Sequence, residues 1–116
     1  MKAFLSTYLI AGLSSTAIAQ HHSIDVSYKT VDIDGVEIFY REAGSRDKPT
    51  LLLLHGFLTS SHMFRDLIED LNYDCYLVAP DYPGYGRSEE PSPESFEYSV
   101  DNMAELVTAF TDQLTL

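Results

Sequence analysis

Two short stretches follow apolar runs in this chain, and both carry residue types that can do chemistry at the end of a buried strand. The first is His55-Gly56-Phe57, directly after four consecutive leucines, and the second begins at Asp81. A turn at a strand end can point backbone N–H groups at an atom that gains negative charge. Gly56 allows the chain to turn there and to approach a bound molecule closely. The first stretch therefore suits the stabilisation of a developing anion.

The apolar patterns around these stretches predict alternating strands and helices of the α/β class. Residues 50–54, which contain four consecutive leucines, and the apolar residues 75–79 do not alternate, which is typical of strands buried on both faces. Residues 59–71 and 99–114 instead show the spacing of amphipathic helices. Strand–helix alternation predicts a parallel sheet with right-handed crossovers.

The two predicted helices have defined core faces and start signals. Residues 59–61 offer N-cap hydroxyls to the first helix, and Ser99 is the expected N-cap of the second. The expected core face of the first helix is Met63, Phe64, Leu67, Ile68 and Leu71. The expected core face of the second is Val100, Met103, Ala104, Val107, Phe110 and Leu114.

An antiparallel hairpin is predicted before the first buried strand. Residues 28–34 and 36–41 alternate apolar and polar side chains, and Asp34-Gly35 lies between them. Asp-Gly is a strong signal for a two-residue hairpin turn, because both turn positions require a positive φ. Residues 82–96, with most of the prolines, are predicted to form a loop.

The N-terminal residues have the order of features of a cleaved export signal. Lys2 precedes an apolar stretch, and Ala17-Ile18-Ala19 forms a small-x-small cleavage site. We predict a signal peptide at residues 1–19, cut after Ala19, a secreted or periplasmic product, and a flexible mature terminus at residues 20–27. The apolar stretch is too short and too polar for a membrane span.

Charge and composition exclude several classes of partner. The chain has 7 basic and 18 acidic residues and a formal net charge of −11, so it has little to neutralise nucleic acid phosphates or an anionic membrane. Cys75 is the only cysteine, which precludes an internal disulfide, and its apolar context predicts a buried, unreactive thiol. A copper site at Gln20-His21-His22 lacks further ligands, so we expect no metal.

The two strand-end stretches resemble known loops of one enzyme family. Residues 51–57 and 59–61 read LLLLHGF and TSS, which resembles the oxyanion loop of α/β-hydrolases. Residues 81–88 read DYPGYGRS, which resembles the second loop of that fold, especially in the epoxide-hydrolase and haloalkane-dehalogenase branch. One helix and one strand fit between the two motifs, as the resemblance requires.

The resemblance implies roles for individual residues. The Phe57 N–H would donate to the oxyanion hole, and a second N–H would come from the residue after the nucleophile. His55 would anchor the loop rather than act as the general base. Asp81, Gly84 and Gly86 would form the supporting loop. No metal or organic cofactor is implied, and the substrate of a full-length relative would be a small molecule.

Two positions depart from the family pattern. Leu58 stands where the epoxide-hydrolase pattern usually has proline, which would favour a fixed turn. Phe57 stands where dehalogenases usually have a halide-binding asparagine, and its side chain cannot donate a hydrogen bond. The second departure favours epoxide-hydrolase-like chemistry over halide release.

The catalytic groups of the family are absent from these 116 residues. Neither Gly-x-Ser-x-Gly nor Gly-x-Asp-x-Gly occurs, and the nucleophile would follow the helix that ends near Leu114. We therefore expect residues 28–116 to be the N-terminal portion of an α/β-hydrolase domain, with the sheet truncated before the nucleophile strand, one open edge at residues 50–54, and no activity alone. The alternatives are a non-catalytic secreted binding or assembly module, and a serine esterase as the full-length relative.

Gly84 and Gly86 also allow a competing interpretation as a dinucleotide-binding loop. The third glycine position holds Glu89, and prolines at 91 and 93 prevent the helix that should receive the phosphates. We therefore predict that the glycines serve close packing of the second loop against the first. Ser88 lies in no nucleophile elbow and is not assigned a catalytic role.

Overall fold

The structure of the chain is a computed structural model that describes residues 24–116. The predicted signal segment, its cleavage site and residues 20–23 lie outside the described residues. The described elements are β1 (Ser27–Ile33), β2 (Val36–Ala43), β3 (Thr50–Leu52), a 3₁₀ turn (Ser61–Phe64), α1 (Arg65–Leu71), β4 (Tyr76–Pro80) and α2 (Val100–Leu114). None of the helices described for residues 24–116 has the length and apolarity needed to cross a bilayer.

The predicted N-terminal hairpin is confirmed. Strands β1 and β2 pair antiparallel down to Ile33 opposite Val36. Asp34 and Gly35 form the turn with φ values of 51° and 85°, as a type I′ turn requires. The Gly35 N–H donates to the Asp32 carboxylate at 3.0 Å, which closes the turn.

The four strands form one mixed sheet in the order β1-β2-β4-β3. Strand β4 pairs antiparallel with β2 and parallel with β3, so the predicted parallel strand–helix–strand unit is confirmed. In the described part of the chain β3 has a strand on one side alone. The sheet separates two apolar clusters: α2 packs on the face with Ile38 and Val78, and α1 packs on the face with Leu77 and Ala79.

Three predictions about the strands are wrong: where β3 ends, the burial of its last leucine, and where β4 begins. Strand β3 ends at Leu52 rather than 54, although the Leu53 N–H still donates to the Val78 carbonyl at 2.9 Å. Leu54 is 42% exposed, so the expectation that the leucine run is buried on both faces is wrong there. Strand β4 begins at Tyr76, and Cys75 before it is half-buried rather than buried.

The first helix starts as a 3₁₀ turn capped by Ser60, whose hydroxyl accepts from the His62 N–H at 3.3 Å. Ile68 is buried, but Met63 and Leu67 are 51% and 39% exposed, so they are not core residues as predicted. A seven-residue helix that touches the sheet along one narrow line leaves the flanks of its apolar stripe in solvent.

The second helix has its predicted N-cap and a different core face. The Ser99 hydroxyl accepts from the Asn102 N–H at 3.2 Å. Leu106 and Phe110 are buried, whereas Val100 is 86% exposed and Ala104 is also exposed. At 100° per residue the buried stripe centres between Leu106 and Phe110, and the two mispredicted residues lie about 100° or more from that centre.

Tyr76 carries a buried hydroxyl with no hydrogen-bond partner among residues 24–116. Burial, with the nearby Glu42 carboxylate, raises the pKa of Tyr76 to about 12. We expect Tyr76→Phe to raise the free energy of unfolding by about 1 kcal/mol, because an unpaired buried hydroxyl costs free energy. Because folding raises this pKa, the contribution of Tyr76 to the free energy of unfolding should be constant below pH 10 and should fall as the pH rises toward 12.

Urea unfolding at neutral pH and a spectrophotometric tyrosine titration check this expectation. The wild-type chain should show a late-ionising tyrosine that is missing from the Tyr76→Phe variant. Tyr73→Phe, at a residue that is 62% exposed, is the control. It should leave the free energy of unfolding unchanged and should keep the late-ionising tyrosine in the titration. A loss of stability in Tyr76→Phe would contradict the expectation.

Candidate active site

The two strand-end loops meet through His55, which is 4% exposed. Its Nε2 atom accepts a hydrogen bond from the Tyr82 N–H at 3.1 Å, so that nitrogen cannot carry a proton. The other ring nitrogen, Nδ1, therefore donates to the Gly56 carbonyl at 2.9 Å. Both nitrogens are engaged with backbone, which leaves no lone pair for taking a proton from a substrate.

Asp81 is the second link between the loops and is 2% exposed. Its Oδ1 accepts from the Ser61 N–H at 2.6 Å, and its Oδ2 accepts from the Arg87 N–H at 2.9 Å. The carboxylate therefore joins the end of the first loop to the far side of its own loop. Charge-assisted hydrogen bonds of this kind are about twice as strong as neutral ones.

The second loop is also fixed to the hairpin, which the sequence did not predict. The Ser88 hydroxyl accepts from the Phe39 N–H at 2.9 Å and donates to the Asp81 carbonyl at 2.6 Å. Glu89 and Glu37 exchange two further hydrogen bonds, each of 2.9 Å. Ser88 therefore has a structural role. The one sequence signal for these contacts is the period-2 spacing of Glu37 and Phe39, which directs the backbone groups of both residues to the same side of the strand.

The glycines of the second loop lie at close contacts. A Cβ atom on Gly86 would be 2.1 Å from the Asp81 Oδ2 atom and 2.9 Å from the Ser60 Cβ atom. A Cβ atom on Gly84 would be 3.1 Å from the Tyr98 ring. Gly86 thus lies where the second loop passes the first, and Gly84 lies where it passes the segment before α2.

The tip of the first loop is formed by Phe57 and Leu58, which are 80% and 81% exposed. Leu58 has a φ of 57°, in the left-handed region that a proline ring forbids. The loop therefore follows a path that the usual proline at this position could not adopt. Among the hydrogen bonds of residues 24–116, none uses the Phe57 N–H as donor. This backbone donor is available to a bound group.

A groove of about 340 Å³ opens beside this tip. Its walls are mainly aromatic and apolar: His55, Phe57, Tyr82, Tyr85, Tyr98 and Met103 are among the lining residues. Burial raises the pKa of the Tyr82 hydroxyl above its ordinary value. Residues 24–116 contain no cluster of three or more side chains that could hold a metal ion. The groove suits an apolar organic molecule.

The amino-acid sequence matches the family model of the alpha/beta hydrolase fold over residues 49–116, more than half of the chain. The chain belongs to the α/β-hydrolase family. An uncharacterized hydrolase of Saccharomyces cerevisiae is 44% identical over 102 residues, which cover 88% of this chain and 32% of the yeast protein. This match extends the similarity across the hairpin.

Other similar proteins indicate the branch of the α/β-hydrolase family. A haloalkane dehalogenase of Bradyrhizobium diazoefficiens is 35% identical over 68 residues, covering 59% of this chain and 22% of that enzyme. The crystal structure of a haloalkane dehalogenase from Bradyrhizobium elkani superposes with a TM-score of 0.73 and 33% identity, covering 78% of this chain and 30% of the other. The predicted fold and the predicted dehalogenase and epoxide-hydrolase-like branch are confirmed.

The chain spans only 22–32% of the length of these relatives. Its hydrogen-bonded pair of loops therefore corresponds to part of an α/β-hydrolase domain. The roles of His55, Phe57 and Asp81 in catalysis stay predictions, as do the domain bounds.

Proposed function

We propose that this chain supplies the oxyanion loop of a hydrolase that works through a covalent intermediate. The observation that carries the proposal is that the Phe57 N–H has no acceptor among the described residues, while Phe57 is one of the residues that line the aromatic groove. Hydrolysis of a covalent ester intermediate puts negative charge on the carbonyl oxygen in the tetrahedral state. A backbone N–H held ready for that oxygen stabilises the charge.

The pair of anchored loops supports this role. A donor stabilises a transition state when it is already positioned, since it then needs no reorganisation during the reaction. The first loop is fixed at His55 by the Tyr82 N–H and at Ser61 by Asp81. The short segment between these two residues carries the free donor.

The 116-residue chain by itself is proposed to be inactive. One donor without a nucleophile and a general base gives no covalent cycle. The residues of this chain would bind the apolar part of a substrate and hold one donor, and the remaining groups would come from protein outside these 116 residues.

The substrate is proposed to be an epoxide or an ester rather than a haloalkane. The exposed side chain at position 57 is a phenyl group, which cannot donate a hydrogen bond to a leaving halide. Haloalkane dehalogenation is the second candidate, and the similarity to haloalkane dehalogenases of Bradyrhizobium favours it.

A chimera decides between the two candidates. Residues 28–116 replace the matching first part of the yeast hydrolase, and turnover is measured with styrene oxide, nitrophenyl esters and 1-chlorobutane. We expect hydrolysis of an epoxide or an ester, no halide release, and no turnover of any substrate by the 116-residue chain alone. Halide release as the main activity would overturn the substrate proposal. Turnover by the chain alone would overturn the inactivity proposal.

Export is proposed from the signal-like residues 1–19. Expression of the chain with its own N-terminus, followed by N-terminal sequencing of the exported product, tests this directly. We expect the product to begin at residue 20. A product that stays inside the cell with Met1 retained would overturn the proposal.

A further inference from the structure

Arg41 contacts the end of the first loop from the hairpin. Its Nε atom donates to the Ser61 hydroxyl oxygen at 2.9 Å. Ser61 is fully buried, and Arg41, in β2, is half-buried. A hydrogen bond between a charged donor and a buried acceptor is worth more than a neutral exposed one. The contact therefore ties the first loop to the sheet.

The Arg41 guanidinium is itself held in place by aromatic rings. Its central carbon lies 5.2 Å from the centroid of the Tyr28 ring and 5.8 Å from that of Phe39. The two rings stack with their planes 13° apart. Cation–π contacts within about 6 Å are attractive, and they restrict a long side chain that would otherwise be mobile. Arg41 thus reaches Ser61 from a fixed position.

Ser61 is bound from two directions at once. Its hydroxyl accepts from Arg41, and its N–H donates to Asp81 in the second loop. The first loop is therefore anchored at its start by His55 and at its end by Ser61. The tip between these anchors carries Phe57 and the left-handed Leu58. Loosening either anchor would let the tip move.

We propose that Arg41 is a positioning residue for the first loop and acts through Ser61. The inference rests on the proposed function, because the positioned group is the Phe57 N–H. Arg41 does not touch the groove. Its effect is to hold residues 57–61 in one conformation, so that the backbone donor points to one place.

Amide hydrogen exchange on the full 116-residue chain tests the proposal. Four proteins are compared: wild type, Arg41→Met, Ser61→Ala and the double variant. We expect each single substitution to speed exchange of the Ser61 amide, whose N–H donates to Asp81, about tenfold, as the loss of one charge-assisted hydrogen bond predicts. The double variant should exchange no faster than either single variant, because both remove the same contact.

Lys29→Met is the matched control. Lys29 is another hairpin cation, and its ammonium group pairs with Glu42 at 3.2 Å without contacting the first loop. Lys29→Met should leave exchange of the Ser61 amide unchanged. If Arg41 only stabilised the whole fold, Arg41→Met would speed exchange evenly in all elements, and that result would overturn the proposal. Additive effects of the two substitutions in the double variant would also overturn it.

The remaining outcomes also decide. If Arg41→Met unfolds the chain, Ser61→Ala removes the same contact while Arg41 is kept. Unchanged exchange in Ser61→Ala would then overturn the inference. Exchange does not depend on turnover. If the Arg41 and Ser61 variants speed exchange as expected but the chimera is inactive, the proposed function alone is refuted. If the chimera is active but the variants leave exchange unchanged, the role of Arg41 alone is refuted.

Discussion

Asp81→Asn should lower the free energy of unfolding by about 3 kcal/mol, because one of its two backbone partners would lose its acceptor. The carboxylate is 2% exposed and accepts from the N–H groups of Ser61 and Arg87, one on each oxygen. An asparagine has a single acceptor oxygen, so its amide NH₂ would face one of these donors. Urea unfolding followed by circular dichroism measures the change.

Asp66→Asn is the control for the same chemical change at an exposed site. The Asp66 side chain is 81% exposed and its ion pair with Arg65, at 3.6 Å, is on the surface. Such pairs contribute little, so we expect a change within about 0.5 kcal/mol. Equal losses in the two variants would show that the hydrogen bonds of Asp81 are not what stabilises the paired loops.

Gly86→Ala should lower the free energy of unfolding by about 2–4 kcal/mol, through overpacking and a strained backbone. The new methyl group would lie 2.1 Å from the Asp81 Oδ2 atom, and Gly86 has a φ of 53°. The carboxylate cannot turn away without breaking its hydrogen bonds to Ser61 and Arg87. Thermal unfolding of the variant and of wild type gives the difference.

Gly35→Ala separates the two costs. Gly35 also has a positive φ, of 85°, but a Cβ atom there would meet nothing within 4 Å. We expect this control to lose about 1 kcal/mol, which is the backbone cost alone. If the two variants lose the same amount, the close contact between the loops contributes nothing measurable.

Features set by neighbouring residues were predictable from the sequence. The Asp34-Gly35 turn and the Ser99 cap depend on a few adjacent residues, and both are found where they were expected. The position of Asp81 was also predictable, because it directly follows β4, which is buried throughout, whereas β3 before His55 ends early and is partly exposed. In these cases local chemistry and the final fold require the same conformation.

Features set by distant packing were not predictable. Val100 was expected in the core and is 86% exposed, since the sheet and not the helix decides which face is covered. Leu54 is 42% exposed because it lies beyond Leu52, the last residue of β3 that pairs with β4. The Arg41–Ser61 contact joins residues that no spacing rule connects, so this part of the candidate site needed the three-dimensional structure.

The distance along the chain between β3 and its partner β4 also bears on how the chain assembles during synthesis. The hairpin strands emerge first and pair with each other at once. Strand β3 emerges next, but its partner β4 begins only at Tyr76. At ribosomal rates of about 5–20 residues per second, the leucine run waits roughly 1–5 s for that partner. We expect chaperones to bind it in this interval, and slower synthesis after Leu54 to lower the yield of folded chain.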